Sequence, residues 1–136
     1  MESSPNEAWC VDAACSGNPG PMEYQCVHLP SRRRIFHFGP IQGTNNIGEF
    51  LAIVHALALQ KQQGKRVAIY SDSMTAQTWI RNRKAKTTLK ATPETAQALE
   101  LVARAERWLQ ANTIEVPILK WNTEEWGEIP ADFGRK

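Results

Sequence analysis

The sequence predicts an α/β domain in which helices cover a mixed sheet, and two observations carry that expectation. Short apolar runs with hairpin-length breaks fill residues 8–38, the pattern of an antiparallel meander. From residue 47 the apolar residues then fall at helical rather than alternating spacing. A strand–helix–strand unit after a meander adds parallel strands, with crossovers on the faces of the sheet.

Taken in order, Ala8–Ala14 is a strand rich in Val and Cys, stopped by the turn cluster Ser16-Gly17-Asn18-Pro19-Gly20-Pro21. Tyr24–Leu29 and Ile35–Phe38 complete the meander around Pro30-Ser31-Arg32-Arg33-Arg34, a charged hairpin tip. Gly43-Thr44-Asn45-Asn46 breaks the pattern and offers N-cap residues. Ile47, Phe50, Leu51, Val54, Leu57 and Ala58 then define one apolar helix face, with Gly64 as its stop. Arg66–Ser71 is the next strand, and Thr75–Asn82 a short helix. Thr92-Pro93 reads as an N-cap and first helical residue. The helix it opens carries Leu101, Ala105, Trp108 and Leu109 on one stripe and runs to about Asn112. Pro117–Trp121 is the last strand, and Asn122–Lys136 a polar loop and stub.

Composition narrows the class. With 136 residues, 42% of them hydrophobic, residues 1–136 are expected to form a single domain with a core that needs no covalent staples. Three cysteines without a C-x-x-C pair suggest neither a disulfide framework nor a zinc site. The apolar stretch Phe50–Leu59, broken by His55, is about half a membrane span. Met1–Trp9 has neither the basic nor the apolar region of a secretory signal. A soluble, reduced, cytoplasmic protein is expected, with no membrane and no obligate protein partner. The net charge of +2, from 16 basic and 14 acidic residues, does not by itself mark a nucleic-acid binder. Position decides: Arg81, Arg83, Lys84, Lys86 and Lys90 form a run with no acidic residue, whereas four carboxylates sit apart from it.

Those carboxylates are Asp12, Glu49, Asp72 and Asp132. Asp12 interrupts an apolar strand, where Asp is disfavoured because it resists burial and competes for backbone hydrogen bonds. Asp72 ends a strand, where capping of the next helix is the plain alternative. Glu49 borders the apolar helix face, and a favourable charge near a helix N-terminus is its alternative role. Asp132 follows Pro130-Ala131 where a new turn would begin. Carboxylates grouped without histidine or thiolate suit hard cations such as magnesium or manganese, and two such ions can promote phosphoryl displacement.

Asp12-Ala13-Ala14-Cys15-Ser16-Gly17-Asn18-Pro19-Gly20 resembles the D-G-S-C-x-G-N-P-G opening of type 1 ribonuclease H. Gly43-Thr44-Asn45-Asn46-Ile47-Gly48-Glu49-Phe50 is similar to that family's T-N-N-x-x-E-L segment, and Tyr70-Ser71-Asp72-Ser73 to its S/T-D-S strand end. Glu128-Ile129-Pro130-Ala131-Asp132 is similar to the closing N-x-x-A-D. The resemblance implies a ribonuclease H-like fold: a mixed five-stranded sheet, three antiparallel strands plus parallel ones, flanked by helices. It implies an endoribonuclease that hydrolyses the RNA strand of RNA–DNA hybrids, leaving 5′-phosphate and 3′-hydroxyl ends. Asp12, Glu49, Asp72 and Asp132 would be its catalytic residues, holding two Mg²⁺ ions, with Mn²⁺ as a substitute. Cys15, Asn18, Asn45 and Asn46 would line the hybrid's minor groove, and Thr44 would help hold a DNA-strand phosphate. The run Arg81–Lys90 occupies the place of the family's basic handle, and Trp79 lies either beneath the DNA strand or in the core.

A non-catalytic nucleic-acid-binding module on the same fold, or another two-metal nuclease, is the competing expectation. Against the first, a pure binder gains nothing from four carboxylates facing phosphates. The family's loop histidine is missing, since no histidine follows His55. Its place is expected to fall to Asn122, Glu124 or Glu125. His28 and His37 are expected in edge strands, as structural or solvent-facing residues. Only Phe133-Gly134-Arg135-Lys136 follow Asp132, so a mobile fourth ligand and one weak metal site are expected.

Overall fold

The computed structural model describes residues 7–134; residues 1–6, which make up most of the stretch read for a secretory signal, lie outside them. Strands β1 (Ala8–Cys15), β2 (Gly20–Leu29) and β3 (Arg34–Gly43) precede helix α1 (Asn45–Gln63). Then come β4 (Ile69–Ser71), α2 (Met74–Asn82), α3 (Ala96–Ala111), β5 (Ile118–Lys120) and the single turn α4 (Thr123–Trp126). The strands form one five-stranded sheet in the order β3-β2-β1-β4-β5. β1, β2 and β3 pair antiparallel, while β4 is parallel to both β1 and β5. This is the mixed sheet expected from the sequence.

Local boundaries differ where tertiary bonds outweigh local signals. β2 and β3 run longer than expected because Gly20 pairs with Gly43 and Pro21 with Gln42, beyond the apolar runs. Two register shifts between β2 and β3 accompany the longer pairing. β4 is shorter, since the Val67 N–H leaves the ladder and donates to Oε1 of buried Gln60 (3.1 Å). α3 starts at Ala96 rather than at Pro93. The backbone N–H groups of Thr92 and Thr95 donate to each other's hydroxyls (2.9 and 3.2 Å), closing a separate turn first.

α1 is expected to bury one face, yet every residue from Ile47 to Val54 is buried. Ala52, Ile53 and Ala56 join Ile47, Phe50, Leu51, Val54 and Leu57 in the core, whereas Ala58 is only half-buried. The sheet lies on one side of the helix, and α2 and α3 pack against it too. Complete burial of side chains such as Ile47, Phe50 and Ile53 contributes about 1.5–3 kcal/mol each. Gly48 permits the close approach: a Cβ there would stand 2.8 Å from the Ala13 Cβ and 2.9 Å from the Met22 Sδ. On α3 the buried stripe is Ala98, Val102, Ala105 and Leu109, with Leu101 and Trp108 half-buried at its flanks.

Trp9, Val11 and Ala13 of β1 belong to the core shared with the helices. Cys10 belongs to a second, smaller core with Val27, Leu29, Trp121, Ile129 and Ala131. Tyr70, Trp121 and Trp126 pack edge to face beside it, with ring centroids 5.0–5.9 Å apart. The segment after β5, expected to be a loose stub, is therefore anchored to the sheet.

Candidate active site

Three of the four singled-out carboxylates converge. Asp12, Glu49 and Asp72 each offer an oxygen, and these oxygens all lie within 4.8 Å of one another. Each arrives by a different route. Asp12 sits in β1 opposite Gln25 of β2 and is wholly buried. Glu49 lies one turn into α1, whose start is capped by the Thr44 hydroxyl accepting the Ile47 N–H (3.2 Å). It is 2% exposed, on the stretch of helix that Gly48 brings against Ala13 and Met22. Asp72 follows the end of β4, where the Ser71 carbonyl accepts from the Gln77 side chain (3.1 Å) and from Trp121 N–H (2.9 Å). The helix-capping role open to Asp72 belongs instead to Ser73, whose hydroxyl accepts the Ala76 N–H.

Asp132 stands outside that group of three. It is half-buried, and its Oδ2 accepts the Gly134 N–H (2.9 Å). Its position is nevertheless fixed from behind. The buried Gln25 side chain donates to the Ala131 carbonyl (2.6 Å), and Ile129 and Ala131 are 1% and 0% exposed. Since Gln25 pairs directly with Asp12 across β1–β2, one residue links the first and last of the four carboxylates. The expected looseness at Asp132 is corrected to this extent: the residues immediately before it are held by a buried hydrogen bond and by the second core.

The donor set fits a hard divalent cation. It offers carboxylate oxygens only, from residues of which two are buried. At 4.8 Å two carboxylates repel by about 3.5 kcal/mol for an effective dielectric near 20, and a cation between them offsets that repulsion.

Asn18, Thr44, Asn45 and Asn46 line a cleft of about 870 Å³ together with Lys86 and Lys90. Asn18 Oδ1 accepts the Asn45 N–H (3.1 Å), joining the β1–β2 turn to the start of α1. Cys15 does not line this cleft; its half-buried thiol lies 3.6 Å from the Gly20 and Gly43 carbonyls, and burial raises its pKa. Burial also pushes Cys10 up to about 12 and raises Cys26, so both are inert thiols of the sheet interior. Trp79 is a core residue, 7% exposed and edge-on to Phe50, while part of it also borders the cleft.

The basic run is not the uniform strip its sequence suggests. The Arg83 guanidinium donates to the carbonyls of Leu109 and Asn112, at the end of α3. Lys84 lies 3.7 Å from Glu106, so this charge is compensated from a distant element. Lys86 and Lys90 are the members that border the cleft, and Glu94 borders it too. Sequence reading missed Gln25 and Glu106, because each acts through a backbone group remote in sequence, and Thr95, whose bond to the Lys90 carbonyl is hidden behind the Thr92-Pro93 helix-start signal. Asn122 caps α4 by accepting the Glu125 N–H (3.1 Å), and Glu124 and Glu125 are exposed. His37 is on edge strand β3, bonded to Glu23 (2.7 Å). His28 is on β2, an inner strand rather than an edge one, and bonds Ser31 and Glu7.

A family model described as RNase H matches residues 5–120. A ribonuclease H of Neorickettsia sennetsu is 36% identical over 83 residues, 54% of this chain and 55% of that protein, so the alignment spans about half of that relative's length. Among solved structures, RNase H1 of the halophilic archaeon Halobacterium salinarum superposes with a TM-score of 0.56 at 20% identity, covering 87% of this chain and 86% of the other. LC11-RNase H1, solved in complex with an RNA/DNA hybrid, gives 0.50 at 17% identity, over 87% and 86%. The mixed sheet with carboxylates on β1, just after β4 and on the first long helix defines a ribonuclease H-like protein. The chain belongs to the RNase H family.

Proposed function

We propose that this protein is an endoribonuclease that hydrolyses the RNA strand of RNA–DNA hybrids in a metal-dependent reaction. The observation that carries this reading is the meeting of Asp12, Glu49 and Asp72 beside a cleft lined by asparagines and lysines. With Asp132 they would hold two divalent ions, magnesium or manganese. Bound there, the ions supply Lewis acidity, lowering the pKa of water and stabilising charge on the departing oxygen, with 5′-phosphate and 3′-hydroxyl products.

The chain's own residues do the rest. Asn18, Asn45 and Asn46 present amides that can donate to and accept from 2′-hydroxyls in a minor groove, the groups that distinguish RNA from DNA. Thr44 uses one hydroxyl lone pair on the helix cap but can still donate to a phosphate oxygen. Cys15 braces the loop that carries Asn18. Lys86 and Lys90 neutralise backbone phosphates. Asn122 caps α4 through Oδ1 but keeps two amide N–H donors, so Asn122, Glu124 or Glu125 would take the missing loop histidine's part. All of this is the work of one catalytic domain. Among the described residues no helix is long and apolar enough to cross a membrane. Three free cysteines suit the reducing cytoplasm, which we assign as its compartment.

The test is incubation with end-labelled RNA–DNA hybrid, duplex RNA and duplex DNA, with and without magnesium. Cleavage of hybrid alone, dependent on metal and lost in Asp12→Asn, supports the reading. Cleavage of duplex DNA, or retention of activity in Asp12→Asn, overturns it.

A further inference from the structure

Residues 85–92 contain no helix or strand, yet the segment is docked on α3 at one end and tied to Thr95, the residue that precedes α3, at the other. Arg83 closes α2 in the left-handed conformation (φ 56°, ψ 32°), where glycine is the least strained residue. Its guanidinium reaches the carbonyls of Leu109 and Asn112. Next to it, the Ala85 N–H donates to Glu106 Oε2 (2.8 Å), and Lys84 lies 3.7 Å from the same carboxylate. At the far end, the buried Thr95 hydroxyl donates to the Lys90 carbonyl (2.7 Å), and Leu89 packs against the core. Between these fastenings Lys86 and Lys90 border the cleft with Asn18, Asn45 and Asn46.

We propose that Arg83, Glu106 and Thr95 are positioning residues for the substrate, docking residues 84–90 on α3 so that Lys86 and Lys90 stand as a fixed pair of phosphate contacts. The inference rests on the nucleic-acid reading above and adds how the basic rim is built. A loose basic loop would lose conformational entropy each time it closed on a duplex. A loop already docked loses that freedom on folding, so its lysines meet phosphates at lower entropic cost. Arginine at a position that favours glycine fits this role, since its side chain reaches partners that glycine lacks.

The variants are Arg83→Gln, Thr95→Val and the charge-matched control Arg81→Gln. Arg81 is exposed, bonds Thr78 and does not border the cleft. Binding of a fluorescein-labelled RNA–DNA hybrid is followed by anisotropy in EDTA over a series of potassium chloride concentrations. Arg83→Gln and Thr95→Val should each weaken binding about tenfold and reduce the slope of log affinity against log salt by about two, whereas Arg81→Gln reduces it by at most about one. In magnesium, KM should rise with kcat held within about twofold. Thr95→Val changes no charge, so a reduced slope there reports displaced lysines. It decides the matter alone if Arg83→Gln fails to fold.

A lowered Tm with unchanged affinity and slope makes the fastenings merely structural and overturns the proposal. So does Arg83→Gln binding no worse than Arg81→Gln. If the unaltered protein binds no hybrid, the functional reading falls and this inference with it. If it binds and cleaves hybrid while both variants match it, the positioning role alone is lost.

Discussion

Asparagine at position 12 keeps the shape of the aspartate and removes one charge from a trio of carboxylates, two of them buried. With oxygens within 4.8 Å, each carboxylate pair repels by about 3.5 kcal/mol at an effective dielectric of 20, and by about 0.9 kcal/mol in bulk water. Glu49, 2% exposed, belongs near the upper figure, and half-buried Asp72 near the lower. Asp12→Asn should therefore stabilise the metal-free protein by up to about 4 kcal/mol, a Tm increase of up to about 15 °C for a domain of this size. The same change removes a ligand, so the stabilisation that magnesium gives the unaltered protein by mass action should largely vanish. Thermal melts of both proteins in EDTA and across a magnesium titration read both effects. A variant less stable than its parent in EDTA, or one that gains as much from magnesium, would refute the electrostatic reasoning.

Gly48→Ala should lower stability by about 1–2 kcal/mol, because the overpacking cost against Ala13 and Met22 exceeds the gain of about 1 kcal/mol in helix propensity. Urea denaturation measures this, and a variant at least as stable as the parent would contradict the close approach. His55 is stacked on Phe36 at 3.8 Å and bonded to the Tyr24 hydroxyl (2.9 Å), and burial holds its pKa below the ordinary 6.5. The unfolded chain then takes up its proton first, so this contribution is full above about pH 6.5 and falls away as pH drops towards the folded pKa. Melts from neutral to mildly acidic pH should lose less stability in His55→Gln than in the parent, and equal slopes would exclude the effect. Ile129→Ala should cost about 2–4 kcal/mol and raise amide exchange over residues 128–134, whereas unchanged exchange would mean that the second core does not hold Asp132.

What was legible in the sequence follows from how local each cause is. Asp12 stood out because a carboxylate inside an apolar strand needs a reason, and the site supplies one. The meander and α1 were legible because their periodicity depends only on neighbours a few residues away. The burial of α1 on every side from Ile47 to Val54 was not, since Ala52 and Ala56 carry too little side chain to signal a second packed face. The late start of α3 was hidden for a related reason. Thr92-Pro93 is a sound local signal, outweighed by the Thr95 hydroxyl reaching Lys90. In the basic run, charge was legible and its allocation was not, because Arg83 works through carbonyls 26 and 29 residues further on. Likewise, the ordering of the residues before Asp132 depends on Gln25, 106 residues away from its partner.

The outer strand β3 has a consequence for behaviour at high concentration. It is ten residues long and sits at the rim of the sheet, so its outward backbone groups are available to another chain. The two register shifts along it, the proline at position 40 and the charge of Arg34 make a poor template for a straight incoming strand. The irregularity that accompanies the longer β2–β3 pairing thus also guards against aggregation by edge-to-edge pairing.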